Sequence, residues 1–203
     1  MSSYEFFFNH EAGSYSPNVL HKNLRKNVLP LLDVAINPIL IHLYITMEVV
    51  ESTFEEVYPV WNKKLWPERV SEIEPMSSLS WKQPSEIIKD KTIFENYSPS
   101  FFAIKIEGKI VGVNSGFRTK ERVYRSRGLW VKEEHRGKDY GKTLLMQAII
   151  QGKSEGCHWI WSMPRKSALK TYESVGFKKK GRWIDDGVEF GPNCLVTRQL
   201  IYK

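Results

Sequence analysis

Residues 129–142, Leu129-Trp130-Val131-Lys132-Glu133-Glu134-His135-Arg136-Gly137-Lys138-Asp139-Tyr140-Gly141-Lys142, decide how the rest of the chain is read. An apolar start that favours a strand runs into a short loop holding two glycines, Gly137 and Gly141, and three cations, Arg136, Lys138 and Lys142. Beyond it, Leu144, Leu145, Ala148 and Ile149 recur at helical spacing. Residues 140–155 are therefore expected to form a helix, closed by Gly156. A strand that turns through glycines into a helix gathers unpaired backbone N–H groups and the positive end of the helix dipole. Gly137 and Gly141 let the backbone come close to a ligand. Phosphate is the natural occupant of such a place.

Two phosphate-loop patterns compete for this segment. Gly141-Lys142-Thr143 imitates the end of a P-loop, but that motif needs four residues between its first Gly and the Gly-Lys pair. Only three separate Gly137 from Gly141, and Arg136 stands where the first Gly is required. The run L-x-V-x-x-x-x-R-G-K-x-x-G-K-x-L-L instead resembles the acyl-CoA loop of the GCN5-related N-acetyltransferases, the GNAT superfamily. That family's pattern is Gln or Arg, two residues, Gly, one residue, then Gly or Ala. Arg136 and Gly141 fit it, while Asp139 replaces the first Gly. Asp tolerates a left-handed backbone and leaves its N–H free. Its carboxylate opposes a bound pyrophosphate unless it turns towards Lys138 or Lys142.

A second landmark lies downstream. Ala168-x-x-x-Tyr172-x-x-x-Gly176-Phe177 is similar to the family's helix before the penultimate strands, with Arg165 where an Asn is usual. The resemblance runs over residues 47–200 and is specific from Phe101 onward. It implies a single GNAT-like α/β (α+β) domain with a central mixed, mostly antiparallel sheet flanked by helices. It also implies an acyl-CoA N-acyltransferase that uses acetyl-CoA as acyl-donor cosubstrate. A primary amine of a small molecule would attack the thioester directly in a ternary complex. On the family's pattern the cofactor-binding residues are Leu129, Val131, Arg136, Gly137, Lys138, Asp139, Tyr140, Gly141 and Lys142. Backbone N–H around Leu129 to Val131 is then the oxyanion donor, and Tyr172 is the catalytic acid for the departing thiolate. His135 sits where the family often has an aromatic, so packing is expected of it rather than titration.

Composition agrees with a folded chain. The hydrophobic fraction of 41% and the aromatic fraction of 13% exclude a wholly disordered chain. The net charge of +7 is unevenly spread. Residues 1–100 hold 9 Lys and Arg against 13 Asp and Glu, a balance of −4; residues 101–203 hold 21 against 10, a balance of +11. The basic half suits a CoA-phosphate neighbourhood, and the acidic half suggests a cationic acceptor. Two cysteines, Cys157 and Cys194, make no disulfide framework, so a cytoplasmic setting is expected. The apolar stretch 27–47 is interrupted by Asp33 and two prolines, and its uncharged run, Val34 to Met47, is only 14 residues, too short to cross a bilayer, so no membrane role is expected. No metal site is expected.

From the N-terminus, residues 1–40 read as an extension without an assigned role and 41–203 as the acyltransferase domain. Residues 42–51 read as a strand. Ser52 or Thr53 caps a helix that Pro59 kinks or shortens, residues 67–84 read as a polar loop, and a second helix is expected over 85–96. Strands follow at 101–108, from 109 towards Tyr124, and at 126–133. Then come the helix 140–155, an apolar strand at 158–164, a helix at 166–175, and two last strands around a long connection.

Two other readings stay open at this level. Arg118, Lys120, Arg122, Arg125 and Arg127 would suit a GNAT acting on aminoacyl-tRNA, or the enzyme would act on protein amines. Alternatively, Asp139 and Arg165 mark a catalytically silent acyl-CoA-binding relative. The sequence selects no general base among Glu72, Glu74, Glu133, Glu134, Asp185, Asp186 and Glu189, and a monomer and a homodimer fit equally.

Overall fold

A computed structural model describes residues 48–186 and 188–200. The expected N-terminal extension, its boundary at residue 40, the apolar stretch 27–47 and the first part of the strand expected at 42–51 lie outside them. The described residues belong to one compact unit, Thr46–Lys203.

The chain forms β1 (Val49–Ser52), α1 (Phe54–Val60), a hairpin β2 (Leu79–Lys82) and β3 (Glu86–Lys89), and a short α2 (Ile93–Asn96). It continues through β4 (Ser100–Ile106), β5 (Lys109–Lys120), β6 (Val123–Val131), α3 (Tyr140–Ser154) and β7 (Trp159–Ser162). It ends with α4 (Leu169–Ser174), β8 (Lys178–Ile184) and β9 (Asn193–Gln199). Seven strands make one sheet in the order β1-β4-β5-β6-β7-β9-β8, and β2-β3 stand apart. Every neighbouring pair in the large sheet is antiparallel except β6 and β7. This is the mixed, mostly antiparallel α/β sheet that the resemblance implies.

Period-two alternation gives the sheet two buried faces. Along β4, Phe102 and Ile104 pack with Leu144, Leu145, Ala148 and Ile149 of α3, whereas Phe101 and Ala103 pack with Val57 and Trp61 on the other side. No helix among the described residues is long and apolar enough to cross a membrane.

Thr53 caps α1 by accepting from the Glu56 N–H. Pro59 lies inside α1, and directly after Val60 the backbone widens into one π-helical turn, Trp61–Leu65. Three expectations fail. Residues 67–84 are not loop throughout, since Leu79–Lys82 form β2. Residues 85–96 are not one helix: Pro84 stands in a turn, and Ile87 pairs with Trp81 across β2–β3. Trp81 is buried against Trp161 and Leu195, so the hairpin covers the sheet, and this burial outweighs the helix propensity of the segment. Tyr124 belongs to β6 rather than to the preceding strand, because the chain reverses between Lys120 and Val123.

Candidate active site

The parallel pair is where the sheet opens. β6 and β7 are in register only over Val123–Arg125 with Trp159–Trp161. β6 then runs on to Val131 while β7 ends at Ser162, so the β7-facing edge of β6 is free from Ser126 onward. At the fork a side chain replaces the ladder: the Ser162 hydroxyl donates to the Ser126 carbonyl oxygen at 2.8 Å. A cavity of about 1150 Å³ fills the opening and reaches both faces of the sheet.

β6 is also bent there. Val113 pairs with Trp130 and Ser115 with Arg127, so Gly128 and Leu129 together face Asn114 in a β-bulge. Gly128 has φ +75°, and a Cβ on it would lie 2.2 Å from the Trp61 ring. The Trp61 indole N–H donates to the Gly128 carbonyl at 2.8 Å and fixes the bulge from the π turn. The bulge aims the backbone of Leu129 to Val131 at the cavity.

A 3-10 turn at Glu133–His135 leads through Gly137 (φ +75°) to Asp139 (φ +61°), the residue before α3. Asp139 makes no side-chain cap, so the first N–H groups of this 15-residue helix have no intrahelical partner. Its carboxylate turns away to the Lys142 ammonium, 2.8 Å distant. Arg136 Nε donates to the Val131 carbonyl at 3.2 Å. The His135 ring stacks on the buried Tyr140 ring at 5.5 Å between centroids, the packing role expected of it.

Of the residues picked out in the sequence, Leu129, Val131, Arg136, Gly137, Asp139, Tyr140, Gly141, Lys142 and Tyr172 line the one cavity. Lys138 is exposed and outside its wall. Tyr172 is buried in α4, and its hydroxyl lies 3.1 Å from Ser162 Oγ. Since the single Ser162 proton goes to Ser126, Tyr172 is the donor in that pair. Burial pushes the Tyr172 hydroxyl above the usual tyrosine pKa, so it keeps its proton at neutral pH.

Several participants were not legible. Ser162 sits in Trp159-Ile160-Trp161-Ser162, which reads as a plain apolar strand. Arg125 and Arg127 belong to the cation run considered for RNA, yet both are 7% exposed and line the cavity. Arg118 pairs with Glu155 at 3.0 Å. Arg122 pairs with Glu121 at 3.7 Å, so four of the five cations in that run are buried in the fold or held in an ion pair. Arg165 donates to the Leu65 carbonyl at 2.6 Å and lies over the Phe190 ring, which directs it across the cavity.

A mixed sheet opened at its one parallel pair, with an uncapped helix N-terminus at the opening, is the architecture of an acyl-CoA N-acyltransferase. The chain belongs to the Acetyltransferase (GNAT) family, whose profile matches residues 61–177. Solved structures agree on the fold. A candidate N-acetyltransferase from Lactobacillus plantarum is 14% identical, with a TM-score of 0.55 over 77% of this chain and 99% of that one. A GNAT-family acetyltransferase from Staphylococcus aureus Mu50 is 16% identical, with a TM-score of 0.51 over 76% and 99%. A comparison with curated protein sequences gives no match.

Proposed function

We propose that this protein transfers an acetyl group from acetyl-CoA to a primary amine of a small molecule, by direct attack within a ternary complex. One observation carries the reading: the free edge of β6, the uncapped start of α3 and the Tyr172 hydroxyl meet in one cavity. Family membership supports the donor class.

The residues fit a CoA-type donor. The N–H groups between Gly137 and Lys142 and the dipole of α3 suit a pyrophosphate, with Arg136 and Lys142 beside them. The Asp139 carboxylate does not oppose it, because it is held by Lys142. The free edge of β6 from Leu129 to Val131 suits the amide-bearing arm, as an added strand would. Acetyl-CoA supplies the thioester. Backbone N–H at the bulge then stabilises the negative charge that develops on the acyl oxygen. Tyr172 gives its proton to the departing sulfur. A thiol with pKa near 8.5 leaves well by itself, so the benefit is moderate. A cytoplasmic setting, with its supply of acetyl-CoA, fits the same reading.

The test is calorimetry with acetyl-CoA followed by thiol release over a panel of amines. Binding together with amine-dependent thiol release is expected. Binding without release from any amine would make the protein a silent acyl-CoA-binding relative.

A further inference from the structure

The cavity is cationic on the side away from α3. Along β6, Ser126 faces Asn114, which in turn donates to the Leu144 carbonyl of α3, while Arg125 and Arg127 point to the opposite face. There the Arg127 guanidinium lies 4.9 Å from each of the Trp61 and Trp66 rings and donates through Nη1 to the Glu74 carbonyl at 2.8 Å. Its Nε and Nη2 have no hydrogen-bond partner among the described residues. Arg125 lies 4.5 Å over the Trp161 ring and donates through Nη1 to Ser77 and to the Leu79 carbonyl; its buried Nε has no partner. Neither arginine forms an ion pair among the described residues, although each is more than nine-tenths buried.

Two adjacent buried cations without an ion-pair partner are costly, because desolvation outweighs the one opposite charge acting on them, that of Glu74 on Arg127. Burial lowers both arginines, Arg125 to about 10 and Arg127 to about 9, with Arg125 and Arg69 adding repulsion at Arg127. The acidic groups lining this side are few and in part engaged. Glu189 is held by Arg69 at 3.2 Å and by Ser71, while Glu72 and Glu74 remain. Most of the early acidic residues that suggested a cationic acceptor, Glu48, Glu51, Glu55, Glu56 and Glu68 among them, lie outside the cavity wall.

We propose that Arg127, backed by Arg125, receives a carboxylate of the acceptor, so that the amine acetylated belongs to an amino acid. This rests on the acetyl-transfer reading and names its substrate class. The two functions sit at opposite sides of one slot: donor phosphates at the start of α3, acceptor carboxylate under Trp61 and Trp66, and the reacting atoms at the fork between Ser126 and Ser162. A planar guanidinium with one fork unoccupied matches a carboxylate with two parallel hydrogen bonds. Aromatic walls strengthen that contact by excluding water. In the reaction the neutral amine nitrogen forms the new N–C bond and the C–S bond breaks. Tyr172 passes its proton to the sulfur, so CoA leaves as the thiol, and the proton the amine gives up to solvent balances the one that restores Tyr172.

The test uses the full chain with acetyl-CoA and follows thiol release. The acceptors are the common α-amino acids, β-alanine and 4-aminobutyrate, each beside its carboxamide and its decarboxylated amine, with phosphoethanolamine and spermidine as further arms. At least one amino acid should exceed its amide and its decarboxylated form by tenfold or more in kcat/KM. Arg127→Gln should abolish that preference while leaving the Kd for acetyl-CoA within about twofold, and Arg127→Lys should restore part of it. Equal rates for acid and amide, preference for spermidine, or preference for phosphoethanolamine would each overturn the carboxylate assignment. Should no amine react, calorimetry of N-acetylglycine against N-acetylglycinamide on the CoA-loaded protein decides separately. Tighter binding of the acid, lost in Arg127→Gln, would support the subsite even though the transfer reading had failed; equal binding would overturn it.

Discussion

The Tyr172 hydroxyl stands 3.1 Å from Ser162 Oγ, on the residue whose own proton bridges to Ser126 where β6 and β7 part. A candidate acid on α4 is thereby tied to the edge of the sheet opening.

Tyr172→Phe removes the tyrosine proton and nothing else of size. Because a thiol is a good leaving group, kcat should fall by about ten- to a hundredfold, at the lower end of general acid effects, with KM for acetyl-CoA little changed. Ser162→Ala leaves the tyrosine proton in place but strips the buried Ser126 carbonyl of its donor, which costs about 1–3 kcal/mol of stability. Urea denaturation and steady-state kinetics on both variants check the pair. A larger kcat loss in Ser162→Ala than in Tyr172→Phe would remove the tyrosine from its role. Burial raises the Tyr172 pKa, so no alkaline loss of rate from this residue is expected up to the ordinary tyrosine value.

Asp139 combines a left-handed backbone (φ +61°) with a carboxylate at a helix N-terminus that it does not cap. Asp139→Gly should relieve backbone strain of about 1 kcal/mol and release Lys142 towards an anion. Acetyl-CoA should bind about three- to tenfold more tightly, and the gain should shrink as salt screens Lys142. Asp139→Ala keeps the strained backbone and should gain less stability. Calorimetry at two ionic strengths, with thermal denaturation, separates the two contributions.

How far the sequence carried varied with distance along the chain. Helix α3, the loop before it and the Tyr172 helix are legible because their apolar spacing, glycines and cations are local signals. The Asp139 carboxylate pairs with Lys142, one of the two cations, Lys138 and Lys142, that the sequence offered it. The acceptor side is another matter. Arg125 and Arg127 lie in a strand of alternating cations that reads as a run able to follow an RNA backbone. What encloses them is Trp161 over Arg125 and, more than fifty positions before Arg127, Trp61 and Trp66. The hairpin Leu79–Lys89 fails for the same reason: Trp81 finds its packing on Trp161, far away in sequence. Contacts of that range have no local periodicity to announce them.

Gly128 is fixed twice over, by its φ of +75° and by the Trp61 ring, which a Cβ would approach to 2.2 Å. Gly128→Ala should therefore destabilise the fold by about 1–2 kcal/mol through the backbone and by about 1–3 kcal/mol through overpacking. Since the bulge directs Leu129 to Val131 into the cavity, kcat should fall more than the stability loss alone explains at a temperature where the variant is folded. Trp61→Phe removes the indole donor to Gly128 and should lower kcat in the same direction with a smaller loss of stability. Circular dichroism and kinetics at matched folded fraction are the measurements. An Ala variant with wild-type kcat would mean the bulge does not position the reacting atoms.

Glu189, between the last two strands, accepts hydrogen bonds from the backbone N–H groups of Val70 and Ser71 at 2.9 Å and pairs with Arg69 at 3.2 Å. This clasp joins the final connection to the early loop across the acceptor side of the cavity. Hydrogen bonds from Ser71 hold the Glu189 carboxyl below its usual pKa. A carboxyl whose folded pKa is depressed contributes stability that is fully present above the unfolded value and is lost as pH falls through the folded one. The clasp should thus be closed at neutral pH and open only below about pH 4.5. Glu189→Gln mimics the opened state at neutral pH, since an amide oxygen accepts more weakly and carries no charge for Arg69. Amide exchange at Val70 and Ser71 should quicken by about tenfold in that variant. Acceptor KM should rise while the Kd for acetyl-CoA stays unchanged, because the proposed donor site lies at the start of α3, away from this clasp. Equal exchange in the variant and the parent protein would show that the carboxylate charge does not hold the loop.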